Sequence, residues 1–110
     1  MGFEGEVWQV RVAEAPVGDI LTDDADFPWL SGRFIAGPGF AGVRELFARD
    51  RALVEQARWQ EWEEAYDEIR RRVSLIAPRG PVPEFLLHIE DDRAWFRWSD
   101  EPFEEEGAGG

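Results

Sequence analysis

His88 is the only histidine in the chain and the first residue to test for chemistry. A histidine acting as general base needs a carboxylate to orient it and a nucleophile within hydrogen-bond reach. The available hydroxyls are Ser31, Ser74, Ser99, Thr22 and Tyr66, and none sits in a nucleophile-elbow or triad context. A lone histidine without those companions reads as a packed or surface residue, and no catalytic residue is assigned. Zinc needs more ligands than one histidine and no cysteine can provide, so neither a metal nor any other cofactor is expected. The acidic run Asp23-Asp24-Ala25-Asp26 fails as a calcium loop. Counted from Asp24, Trp29 and Ile35 stand where an EF-hand needs its sixth-position Gly and twelfth-position Glu, and the run reads as a solvated turn. Gly37-Pro38-Gly39-Phe40-Ala41-Gly42 precedes a helical pattern but lacks the Lys-Ser/Thr of a phosphate loop and has Pro where an amide is needed. Among so many acids no pair stands out for glycoside hydrolysis. What remains is recognition chemistry. Guanidinium forks at Arg11, Arg33 and Arg97, together with Trp95 and His88, are residue types suited to carboxylates and to binding hot spots.

Two runs place most of that set. Phe85, Leu87 and Ile89 alternate with Leu86 and His88, and Ala94, Phe96 and Trp98 alternate with Trp95 and Arg97, with Glu90-Asp91-Asp92-Arg93 as the turn between them. Side chains on a strand alternate faces, so each run has one wholly apolar side that belongs in the core. Earlier strands are expected over Gly5 to Val12, Val17 to Thr22 and Trp29 to Ala36, with the acidic run as a loop and Pro28 at a strand start. Phe40 to about Gln56 has helical spacing, and Arg58 to Arg72 is a stronger helix whose stripe is Trp59, Trp62, Tyr66, Ile69 and Val73. Its acids come first and Arg70, Arg71 and Arg72 last, which complements the helix dipole, with Asp67–Arg71 and Glu68–Arg72 as added pairs. One unbroken helix would be about 50 Å long at 1.5 Å per residue, too long for this domain, so a break is placed near Gln56 to Arg58, with Asp50, a good N-cap type, as a rival position. Ser74 to Ala77 is a further short strand.

The order β-β-β-α-α-β-β-β makes an α+β protein: a single antiparallel sheet with two helices packed on one face. Residues 1–99 are expected to form one domain and residues 100–110 an acidic, Gly-rich, flexible tail. Parity then leaves Gln9, Arg11, Ser31, Arg33, Leu86, His88, Trp95 and Arg97 on the reverse of the sheet.

Composition limits the partners. The chain of 110 residues carries a formal charge of −12, has no cysteine, and every one of its 12 basic residues is arginine. Such an acidic chain repels phosphate backbones, which argues against nucleic acid. No apolar run is long enough to span a membrane and no secretion signal opens the chain, so a cytoplasmic location is expected.

The string Asp26-Phe27-Pro28-Trp29 with Gly32-Arg33-Phe34, the Trp59/Trp62/Tyr66 helix, and Pro83 to Ile89 with Ala94-Trp95-Phe96-Arg97 together resemble a family of small hypothetical bacterial proteins. The resemblance spans most of residues 5 to 98 and implies no activity.

Three readings follow. The leading one is a non-catalytic interaction domain that uses the reverse sheet face at Arg11, Arg33, His88, Trp95 and Arg97 to bind a protein partner or a second copy of itself. The next is an immunity-like or inhibitor protein whose acidic helix, through Glu61, Glu63, Glu64, Asp67 and Glu68, covers a basic partner. The third is a small hydrolase using His88.

Overall fold

The apolar alternation after Pro83 becomes a hairpin in the computed structural model, which describes residues 5–13, 15–26 and 28–99. Its strands are β6 (Glu84–Glu90) and β7 (Arg93–Ser99), joined by Asp91-Asp92, with Asp91 at φ 57°. Aspartate tolerates that left-handed conformation better than most residues. The earlier strands are β1 (Val7–Val12), β2 (Ala15–Asp26) and β3 (Trp29–Ala36). The helices are α1 (Arg44–Glu55) and α2 (Trp59–Arg72), and β4 (Val73–Ala77) with the two-residue β5 (Gly80–Pro81) precede the hairpin. All pair antiparallel in one seven-stranded sheet ordered β5-β4-β1-β2-β3-β7-β6. The architecture is α+β, as the sequence pattern predicts.

The sheet is strongly curled. Trp8 on β1 meets Phe96 and Trp98 on β7 with ring centroids 4.7 and 5.6 Å apart, although β2 and β3 lie between those strands. Three strand spacings of about 4.8 Å would hold them well apart in a flat sheet. The concave side is the core, where Trp8, Val10, Ile20, Leu75, Leu87 and Phe96 are fully buried.

The helix break falls where helix length requires it. The Ala57 amide donates to the Val54 carbonyl and the Arg58 amide to the Leu53 carbonyl, each at 3.0 Å, with Ala57 at φ 55°. That is a Schellman termination with alanine in the position glycine usually takes. The Gly37 and Gly39 amides donate to Val17 and Pro16 carbonyls at 2.7 and 2.8 Å, so they tie the loop to β2. They are spent on the fold and do not present themselves to an anion.

Three sequence expectations change. The acidic run 23–26 belongs to β2, with a bulge between Thr22 and Asp24 and pairs Ala25↔Leu30 and Asp26↔Trp29. Residues 23–26 are all exposed, so their side chains carry no apolar alternation. Trp59, expected in the core, is 56% exposed at the first position of α2. Asp67 pairs with Arg70 at 2.8 Å rather than with Arg71, while Glu68 takes both Arg71 and Arg72. The proposed tail, residues 100–110, lies outside the described residues.

Candidate functional site

β6 is an edge strand, and the helices deal with its unpaired side. The Tyr66 hydroxyl on α2 accepts from the Leu87 amide at 2.7 Å and donates to the Phe85 carbonyl at 3.4 Å. One side chain thus stands in for a missing neighbouring strand. From the same edge α1 reaches the convex face. Asp50, with no exposed surface, accepts from His88 Nδ1 and from Trp62 Nε1, both at 2.6 Å. Trp29 stacks on the His88 ring at 5.9 Å, Trp95 lies 5.6 Å away, and Tyr66 is tilted at 6.4 Å. Arg51 sits over the Trp95 ring at 4.8 Å.

This node supplies the carboxylate that a general-base histidine needs, but not the nucleophile. Ser31, Trp95 and His88 are successive register partners across β3, β7 and β6. Ser31 is therefore two strand spacings, about 10 Å, from His88, with an indole between them. The arrangement is a buried polar latch between helices and sheet. Among the described residues no cluster of three or more His, Asp or Glu could hold a metal ion.

Burial pushes the Tyr66 phenol well above the ordinary tyrosine range; the Leu87 amide opposes the shift and the nearby Asp50 charge adds to it. The phenol's proton is therefore held more tightly folded than unfolded. Stability is complete below the unfolded pKa of about 10 and falls above it by about 1.4 kcal/mol per pH unit. Tyr66 is the only tyrosine, and the chain has no lysine or cysteine to titrate beside it. Absorbance near 295 nm should show no phenolate until the fold is lost. Reversible ionisation near pH 10 in a folded protein would contradict this account.

The five residues expected on the reverse face divide. Arg33 is exposed on it. His88 is buried because α1 crosses to meet it, and Trp95 is half-buried under Arg51. Arg97 is half-buried on β7, and Arg11 is half-buried at the far side of the sheet on β1, opposite Ser74 of β4. The structure brings His88 and Trp95 together and leaves Arg11 remote from both.

The part of the convex face that stays uncovered lies over β1, β2 and β3. Val7, Leu21 and Ile35 are 46%, 39% and 52% exposed there, on adjacent strands. Leu21 is in register with Val7 and Arg33, and Asp19 with Gln9 and Ile35. Arg93, the next partner of Arg33, is held by both Asp23 oxygens at 2.8 and 3.0 Å. Sequence parity could have found this apolar patch, because Val7, Leu21 and Ile35 all fall at outward positions.

On α2 the acidic contact is largely engaged within the chain: Glu61 pairs with Arg58, Asp67 with Arg70, and Glu68 with Arg71 and Arg72. Glu63 and Glu64 are exposed. Among the described residues no helix is long and apolar enough to cross a membrane. No protein-family profile, no curated protein and no solved structure matches this chain.

Proposed function

We propose that this chain is a non-catalytic interaction domain that docks through the uncovered convex face of β1–β3, and that its partner there is a second copy of the chain. The observation that carries the reading is the patch itself. Among the described residues, three of the four exposed large hydrophobics share this one sheet face. Contiguous apolar surface is where soluble proteins associate.

Self-pairing is supported by how charge sits around the patch. Leu21 and Ile35 occupy one diagonal of a four-residue square, and Arg33 and Asp19 the other. A two-fold axis along the Leu21–Ile35 diagonal sets each apolar side chain against its own copy. It also sets Arg33 against Asp19 of the partner subunit. Two-fold contacts of this self-complementary kind are the commonest in homo-oligomers.

Each copy carries −12, so the net charges repel while the patch attracts. Added salt screens that repulsion and is expected to strengthen the dimer, whereas it would weaken an acidic helix bound to a basic partner. Sedimentation equilibrium at rising salt distinguishes the two. Leu21→Glu or Ile35→Glu should weaken association tenfold or more, the order expected for losing one buried aliphatic side chain of about 1.5–3 kcal/mol. A monomer at every concentration and salt, or a dimer indifferent to Leu21→Glu, would defeat the proposal.

A further inference from the structure

Outside the docking face, a cleft of about 460 Å³ opens between α1 and the β6–β7 turn. That volume lies within the range of small-molecule sites. Its lining includes the buried, apolar Phe47 and Ile89. Arg44 and Arg51 also line it, two helical turns apart and so on the same side of α1. Each guanidinium lies on an aromatic ring, Arg44 on Phe40 at 5.9 Å and Arg51 on Trp95 at 4.8 Å. Stacking of this kind holds the planar group in place while leaving its N–H edge free to donate.

Arg51 has a donor to spare. Its Nε is buried without a hydrogen-bond partner, and the nearest carboxylate, Glu90 Oε1, stands 3.6 Å away, too far to bond. A buried donor left unmade is costly, so turning this edge of Arg51 toward a ligand oxygen in the cleft would recover a bond that the fold leaves open. Among the described residues Arg44 forms no ion pair.

The geometry points to a binding site for a small monocarboxylic acid with a short apolar body. The carboxylate takes the arginine donors, and the body lies on Phe47 and Ile89. A monoanion is favoured over a phosphate because Glu55, Glu90 and Asp91 also line the cleft, and repulsion from them grows with ligand charge. Glu90 is then an internal competitor for Arg51.

The test uses the full chain, ¹⁵N-labelled, titrated with octanoate and followed through the Ile89 and Glu90 amides and the Arg51 Nε–H. Saturable shifts are expected with octanoate and not with octan-1-ol. Arg44→Ala and Arg51→Ala should each weaken binding about tenfold or more, the loss expected for a hydrogen bond to a charged group. Arg51→Lys, which keeps the charge but not the fork, should weaken it as well, and Glu90→Gln should tighten it. Octan-1-ol matching octanoate, no saturable shift, or unchanged affinity in Arg44→Ala would overturn the assignment. Tighter binding of acetyl-alanyl-leucine with a free C-terminus would overturn the small-acid assignment in favour of peptide ends.

Discussion

Asp50→Ala is expected to cost about 2–6 kcal/mol of folding stability, about 1–3 kcal/mol for each of the two buried polar groups it leaves unpaired. Domains of this size are stable by only about 5–15 kcal/mol, so the variant should sit near its unfolding threshold. The magnitude follows from what is stranded. Asp50 is wholly enclosed and is the acceptor for both the Trp62 indole N–H and His88 Nδ1. The alanine leaves two polar groups facing a dry cavity. Asp50→Asn keeps the volume and an acceptor for Trp62, and should lose less. Urea unfolding followed by tryptophan fluorescence gives both values. A double-mutant cycle with His88→Ala should show strong coupling, because either substitution alone breaks the same contact. A loss under about 1 kcal/mol in Asp50→Ala would mean that the latch holds nothing together.

The second large effect is expected from Gly32→Ala. Gly32 is buried in β3, between β2 and β7, opposite Thr22 and beside the bulge. A Cβ at this position would stand 2.1 Å from the Leu21 carbonyl oxygen and 2.7 Å from its carbon. Those are backbone atoms of a paired strand and cannot turn aside as a side chain would. Overpacking in cores costs about 1–3 kcal/mol where neighbours adjust, and this site should exceed that range. Thermal unfolding by circular dichroism reads the outcome. A near-normal midpoint would show that β2 and β3 can separate locally at the bulge. The patch residue Leu21 lies at this contact, so the same variant should also disturb self-association.

Much of this architecture was legible from periodicity. The hairpin of β6 and β7 shows in the alternation around Leu87 and Phe96, and the two helices separate where their combined length demands. The exposed end of the β2–β3 hairpin was not legible, because residues facing water on both sides leave no pattern, and Asp24 and Asp26 look like a loop. Asp50 was hidden for a different reason. It steps from Phe47 by three and to Val54 by four, so it lies on the apolar stripe of α1 as an apparent defect. Its partners, Trp62 and His88, come from another helix and a distant strand. A charged residue on an otherwise apolar stripe, in a chain with one histidine, was the available signal. The covering of His88 was not predictable from parity, which assigns a face but says nothing about which helix rounds the edge.

The Trp8 contact with Phe96 and Trp98 bears on how the protein is made. Translation delivers β1, β2 and β3 long before β7, so a nascent chain holding these three strands lacks the Phe96 and Trp98 rings that pack on Trp8. Pairings between distant segments form slowly, because much chain must be ordered before they repay it. That apolar surface therefore stays open for the interval before Phe96 and Trp98 are made, when transient exposure favours aggregation.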